Sequence, residues 1–450
     1  MKKSLAFLCI IATILSGCAN ISTDNETTAE SEVISTQDTS SQETVSSQDT
    51  SEAMTNVTED SQSSEAEENE KTEETFEESS EAQNDETSSS DTSPTAQEVS
   101  DNMHLGINLG NTFEAYDATN CESITYEWMP IVGDNQVSDY ENCWGGGHIT
   151  QETIDGMKEA GFDTVRIPVF WGNMMENDGT WTINEDYIAR VREVVDYATN
   201  AGMYAVINIH HFDEFIIRRY DTDEACEIFD TLWTQIAEYF KDCPYTVIFE
   251  GYNEYLGGEV FNENGKLVDL DDETAYDLTN RCNQTFVDAV RATGGNNADR
   301  VLIVSGLWTN IDKTTDERFV MPTDTVDDRL MVSVHYIDNS MYWSGQIGSQ
   351  EWLDYIDDQC DKLDEAFISK GIPVFVGETT AMYYQDNYYL YDDSSECLDV
   401  LLNEIYDRGY VAVLWTTGND YYDRKSCSMN SSAEVQKHAA VIQSIAERWQ

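Results

Sequence analysis

The residues after Asp101 predict a (β/α)8 barrel, on three observations. Short runs rich in Val, Ile and Phe alternate with longer amphipathic segments eight times between residues 101 and 450. The short runs are continuously apolar, as strands of a parallel sheet covered by helices must be. Aromatic residues make up 11% of the 450-residue chain and nearly all follow Asp101, so the large core is built there. A doubly wound sheet shares this alternation, but no Gly-rich dinucleotide loop follows its first run.

The chain opens with an element of another kind. Lys2 and Lys3 precede an apolar stretch over residues 5–15, the charged and apolar regions of an export signal. This stretch is too short for a comfortable membrane span. Leu15-Ser16-Gly17-Cys18 resembles the lipobox of bacterial lipoproteins, which implies that Cys18 becomes the lipidated first residue. The expected location is therefore the cell surface, with the membrane reached through acyl chains alone. Residues 19–100 are Ser, Thr, Glu, Asp and Gln with scarcely an aromatic, Phe76 being the exception. Such a segment buries too little apolar surface to offset chain entropy, and is expected as a disordered, self-repelling spacer.

Eight strands follow, at 105–109, 164–169, 204–210, 246–250, 301–305, 330–335, 373–377 and 411–415. Helical patterns fill the intervals at 150–160, 184–200, 223–241, 273–292, 351–369, 395–407 and 433–449. The pattern at 312–319 is the weakest.

The net charge of −63 divides into −20 over residues 1–100 (23 acidic, 3 basic) and −43 over residues 101–450 (64 acidic, 21 basic). It argues against nucleic acid and anionic surfaces, which demand basic patches, and fits an uncharged partner. Ten cysteines include Cys9 in the signal and Cys18 at the lipobox. Export permits disulfides, and Cys121 and Cys143 bracket one loop where they could pair.

A barrel carries its functional groups at the C-terminal ends of its strands. At or near those ends stand Arg166, His210, Asn253, Glu254, His335, Glu378 and Trp415. Two carboxylates facing one cleft suit glycoside hydrolysis, where one gives a proton to the leaving oxygen and the other attacks or activates water. Arg166 is placed to keep Glu378 ionised, Asn253 to donate to a sugar hydroxyl, and Trp415 to present a flat face to a pyranose. Trp171, Tyr252, Trp308 and Trp343 suit a stacking groove or core packing equally. His210 and His211 are adjacent on a strand and so point to opposite faces, which argues against a shared metal. No metal and no organic cofactor are expected.

These residues stand in motifs that resemble glycoside hydrolase family 5, especially its endoglucanases and xyloglucanases. GINLGNTFE from Gly106 to Glu114 is similar to the family's first strand and GFDTVRIPV from Gly161 to Val169 to its second. NIHH from Asn208 to His211 matches the third and FEGYNE from Phe249 to Glu254 the fourth. GIPVFVGE from Gly371 to Glu378 resembles the seventh. The resemblance implies a retaining mechanism with Glu254 as acid/base and Glu378 as nucleophile. It further implies that Arg166 orients Glu378, and that His210 and Asn253 contact the sugar under attack. His335 would join the acid/base network and Trp415 would stack on sugar. Asn108 and Glu114 would touch a more distant sugar.

The sequence also departs from the family pattern. Strand six usually reads His-x-Tyr, with the tyrosine hydroxyl near the nucleophile. Here Ile337 takes that place, and alternation points Tyr336 the other way, leaving a nearby residue such as Tyr342 to stand in. Tyr255 replaces the usual Pro, Thr379-Thr380 the usual Phe-Gly, and Trp415 is followed by Thr416-Thr417. The implied function is a surface-anchored, monomeric endo-β-1,4-glucanase acting on plant cell-wall β-glucan. A mannanase or xyloglucanase is the alternative within the fold. A catalytically weak glycan-binding lipoprotein is the alternative of another class.

Overall fold

The computed structural model describes residues 93–117, 131–176, 178–212, 216–254, 259–262, 264–382, 394–418, 420–433 and 435–449. The expected export signal, Cys18, the expected linker up to residue 92 and Cys121 lie outside these residues. Eight parallel strands close into a barrel: β1 (Leu105–Asn108), β2 (Thr164–Ile167), β3 (Tyr204–Asn208), β4 (Val247–Glu250), β5 (Leu302–Ser305), β6 (Leu330–His335), β7 (Val374–Thr379) and β8 (Val411–Leu414). Each pairs with its neighbours in sequence, and β8 returns to β1 through Leu105 beside Ala412 and Ile107 beside Leu414.

Side chains alternate across the barrel wall. Ala205, Ile207, Val247, Phe249, Leu302 and Val304 belong to the core under the helices. Their alternates Val206, Ile248 and Ile303 join Met331, Phe375 and Val413 in a separate interior cluster. Both faces of β3 to β8 are thus apolar over their first residues, which is why these strands read as continuous runs. Toward the C-terminal ends the interior alternates become Asn108, Arg166, Asn208, Glu250 and Ser333, all fully buried. The barrel interior therefore changes from hydrocarbon at one end to a polar network at the other.

The helices lie close to the predicted segments: α2 (Gln151–Glu159), α3 (Glu185–Asn200), α4 (Thr222–Phe240), α5 (Asp272–Ala292), α6 (Gln350–Ala366), α7 (Ser394–Asp407) and α8 (Gln436–Ala446). Asn184, Asp221, Asp271 and Ser349 cap four of them, each side chain accepting an N–H of the first turn. The weak pattern at 312–319 folds as only one turn, Ile311–Thr314. Outside the barrel, Glu259–Phe261 pairs with Leu267–Asp269 and Tyr422–Asp423 with Ser428–Met429, both antiparallel.

The folded body includes residues that composition assigned to the linker. A short helix before β1, α1 (Ala96–Ser100), is closed by a reciprocal capping pair, Thr95 and Glu98. Ala96, Val99 and Met103 pack into the interior cluster and plug the N-terminal end of the barrel. Ser93 donates to Asp299 at 2.6 Å, and the Ala96 N–H to the Asp328 carbonyl at 2.7 Å. The plug sits opposite the strand ends that carry the polar network. Val99→Ala removes two buried carbons and should cost about 2 kcal/mol of stability. The midpoint of urea unfolding should move to lower denaturant, which checks it.

Candidate active site

Arg166 is the centre of the polar end. It projects from β2 into the barrel with a side-chain exposure of 0%. Its Nε donates to Glu250 at 2.7 Å, one terminal nitrogen to Asn108 and to Glu378 at 3.0 Å each, and the other to Asn253 at 2.8 Å. Burial opposes the guanidinium charge, but Glu250 and Glu378 outweigh it and raise the pKa. A planar fork with donors on both edges does what a lysine ammonium cannot: it fixes two carboxylates and two amides at once.

Glu378 reaches this network through an irregularity in β7. Phe375 and Gly377 take the inner side, so strict alternation would turn Glu378 outward toward the helices. The pairing shifts by one residue instead. Val334 lies beside Val376, but His335 lies beside Glu378, and Leu414 lies beside Thr379. The extra residue re-aims Glu378 into the barrel. Gly377 suits the position, because a Cβ there would come within 2.9 Å of His335 Nε2.

Tyr336 corrects the sequence expectation. It adopts φ 42°, a left-handed conformation rare for a tyrosine, and so leaves the alternation of β6. Its hydroxyl donates to Glu378 at 2.9 Å. Ile337 is 1% exposed and belongs to the core. The hydroxyl expected from a substitute such as Tyr342 is supplied by Tyr336. Asn111, His211, Trp308 and Thr309 also take positive φ just beyond strand ends, so backbone strain gathers on this face.

Glu254 stands across from Glu378, on the loop after β4. His335 bridges them, with Nδ1 3.1 Å from Glu254 Oε1 and 3.9 Å from Glu378 Oε2. One ligand-type atom from each of Glu254, His335 and Glu378 lies within 4.8 Å of the others. That spacing would also admit a divalent cation. The carboxylates differ in exposure, 28% for the Glu254 side chain and 6% for Glu378. Burial pushes the Glu378 pKa up and Glu254 adds to this, while His335, Arg166 and the Tyr336 hydroxyl pull it down; the net direction is up. His210 is 4% exposed, and burial followed by the neighbouring His211, Arg166 and His335 holds its pKa well below the usual value. A neutral imidazole is therefore presented beside Trp415, whose ring lies 6.4 Å away and nearly parallel at 17°.

The structure thus brings together Arg166, His210, Asn253, Glu254, His335, Glu378 and Trp415. It separates Asn108 and Glu114 from them in role. Asn108 is fully buried, donating to the Gly377 and Leu414 carbonyls and accepting from Arg166. Glu114 is 1% exposed and accepts the N–H groups of Asn111 and Thr112. Burial pushes its pKa up to about 7 against those hydrogen bonds and Arg424. Both are internal supports, because their polar atoms are already bonded within the wall. Trp171 and Tyr252, each 1% exposed, are core residues; Trp308 is half-buried, and the Trp343 side chain lies outside the described residues.

Glu250 was missed in the sequence. It is fully buried and accepts from Arg166, from Asn208 at 3.2 Å and from Ser333 at 2.9 Å. A carboxylate on the inner register of an apolar strand demands a buried cation, and Arg166 holds the matching place on β2. That pairing was the available signal. Arg424 left none: from a loop far along the chain it donates to the carbonyls of Asn108, Gly110 and Thr416 and holds the end of β1 against the segment after Trp415.

Comparison with known proteins agrees with this geometry. A family model described as Cellulase (glycosyl hydrolase family 5) matches residues 117–421. Endoglucanase B of Neocallimastix patriciarum is 32% identical over 329 residues, which cover 72% of this chain and 65% of that protein. A xyloglucan-specific endo-β-1,4-glucanase of Bacteroides ovatus is 32% identical over 304 residues, 63% of this chain and 56% of its own. The chain thus spans less than two thirds of these relatives. The solved structure of a broad-specificity endoglucanase from an uncultured bovine rumen ciliate superposes with a TM-score of 0.64 at 29% identity, covering 79% of this chain and 99% of that one. With eight parallel strands, two facing carboxylates and a family match over most of its length, this chain belongs to glycosyl hydrolase family 5.

Proposed function

We propose that the chain is an endo-β-1,4-glucanase that hydrolyses β-glucan with retention of configuration, with Glu378 as nucleophile and Glu254 as acid/base. The observation that carries this is the carboxylate pair, whose nearest oxygens fall within 4.8 Å with His335 between them. Retaining enzymes hold their carboxyls about 5–5.5 Å apart, whereas inverting ones leave about 6.5–9.5 Å for a water.

In the first step Glu378 attacks the anomeric carbon as Glu254 gives its proton to the departing sugar oxygen. Arg166 and Tyr336 hold Glu378 by hydrogen bonds on separate oxygens, which fixes the attacking lone pair. Asn253, held by Arg166, faces the same sugar as His210, and Trp415 offers it an apolar wall. In the second step Glu378 is esterified and uncharged, and Glu254 takes a proton from the water that releases the sugar.

A panel of barley β-glucan, carboxymethylcellulose, xyloglucan and mannan tests the reading. Reducing ends should appear on the glucans, and proton NMR should show β-product first. Release equal to that of Glu378→Gln on every glycan would overturn the activity, and α-product first would overturn retention. Xyloglucan belongs in the panel because the Bacteroides relative is specific for it. A strand-six hydroxyl missing from the nucleophile would favour a catalytically weak glycan-binding protein, and Tyr336 supplies that hydroxyl.

Tyr336→Phe should lower kcat roughly ten- to hundred-fold, the worth of a hydrogen bond to a charged group. The sign of its pH effect follows from the lost donor. The hydroxyl favours ionised Glu378, so its removal raises the pKa and moves the acid limb of kcat/KM to higher pH. An unmoved limb would show that Tyr336 does not act on the nucleophile.

We also place the enzyme on a membrane surface, as a monomer lipidated at Cys18. The support is the lipobox, the charged and apolar run before it and the acidic spacer after it. Cys18→Ala should move the protein from the membrane fraction to the medium, and light scattering should give the mass of one chain.

A further inference from the structure

We propose that Cys226 and Cys282 form a reversible disulfide that ties α4 to α5 behind β4, the strand that leads into Glu254. The two sulfurs lie 3.8 Å apart, one on each helix. Both residues are buried, Cys226 at 8% and Cys282 at 0% exposure, so Cys226 lies nearer the surface. A disulfide needs the sulfurs at about 2.05 Å, a closure within reach of side-chain rotation on two packed helices.

The surroundings give the two thiols different parts. The hydrogen bond with Cys282 pulls the Cys226 thiol down and the Arg281 guanidinium helps, against burial, Asp223 and Asp277. Burial pushes Cys282 well up. Cys226, the less enclosed thiol and the one drawn toward its ionised form, is the attacking partner, and the fully enclosed Cys282 resolves the intermediate. The sequence places both in an exported chain, where disulfides persist.

The oxidant is a small-molecule disulfide such as oxidised glutathione. The Cys226 thiolate attacks one of its sulfurs, forming a mixed disulfide and releasing one glutathione thiolate. Cys282 then gives up its proton and attacks Cys226 Sγ; the protein disulfide forms as the second glutathione leaves. Two protein thiols lose two electrons, and one external disulfide becomes two thiols.

The bridge links residues 56 positions apart, and long loops gain the most from closure. It spans helices that flank the seat of Glu254. Asn283, next to Cys282, donates to the Ser305 carbonyl, and so does the Tyr252 hydroxyl, two residues before Glu254. Closing the bridge should therefore stiffen the wall behind the acid/base loop.

The test treats the purified full chain with oxidised glutathione or with dithiothreitol, blocks free thiols under denaturing conditions, and maps peptides. The expected result is a Cys226–Cys282 cross-linked peptide with the loss of two hydrogens. A Tm higher by roughly 5 °C in the oxidised protein should accompany it. Cys226→Ser and Cys282→Ala should each abolish the Tm difference while keeping the kcat of reduced wild type. Three outcomes would overturn the proposal: a glutathione adduct that stays on Cys226, both thiols blocked after oxidation, or a Tm rise that survives Cys282→Ala. The peptide map of the wild type decides even where a variant fails to fold.

Discussion

Glu378→Gln is expected to reduce β-1,4-glucan hydrolysis by roughly 10⁴-fold or more, because an amide removes the attacking oxyanion and leaves only binding and the acid. The fold should survive, since the amide oxygen can still accept from Arg166 while its NH2 donates to the Tyr336 oxygen. Glu254→Gln should separate the two roles. An aryl glycoside with a good leaving group departs with little acid help, so its first step should remain fast, while polysaccharide turnover should fall like that of Glu378→Gln. Azide sharpens the distinction. In Glu254→Ala it should attack the covalent intermediate, and two displacements give a β-glycosyl azide. In Glu378→Ala it can displace only once, giving the α product. The reverse pair of azide products, α from Glu254→Ala and β from Glu378→Ala, would show that the roles are misassigned.

Arg166→Met is expected to have the next largest effect, on stability as well as rate. Glu250 and Glu378 both rest on this guanidinium, and the side-chain exposures are 0% for Arg166 and Glu250 and 6% for Glu378. Removing one partner of a buried ion pair costs about 3–5 kcal/mol because the remaining charge loses its compensation. Urea unfolding should show that loss. Activity should fall as well, since Asn253 loses its donor and Glu378 its orientation. Adding Glu250→Gln should recover part of the stability and none of the activity. A coupling of that sign in the double-mutant cycle separates the load on Glu250 from the task at Glu378. Equal recovery of both would refute the separation.

The barrel was legible because its strands are buried on both faces. A continuous apolar run such as VIF before Glu250 differs sharply from the amphipathic helices on either side. The carboxylates were legible for a related reason. A parallel barrel gathers its strand ends on one face, so the ends of β4 and β7 place Glu254 and Glu378 at the same end of the barrel. Glu250 was within reach of the same reasoning, since a buried acid on β4 implies a buried base on the same inner face, here Arg166 two strands away on β2. Residues 93–100 were hidden by composition. Ala96 and Val99 are two apolar residues at the end of a low-complexity tract, and only the open barrel end gives them something to bury.

Sequence by itself determined the eight alternating units, the two carboxylates and the arginine and histidine residues around them, because local hydrophobic period and strand order are properties of the chain. Only tertiary structure decided which way several of those residues face. The register shift in β7 and the left-handed turn at Tyr336 each break the period of two on which sequence reasoning rests. They turn Glu378 inward and bring a hydroxyl onto it that alternation had sent outward. Asn108 and Glu114 moved the other way, from expected sugar contacts to supports of the wall, because their hydrogen-bond partners lie on chain brought near only by barrel closure or by a turn at the strand end. A period can be read along the chain, but a one-residue shift between strands is set by the packing of both, and here that shift aims Glu378.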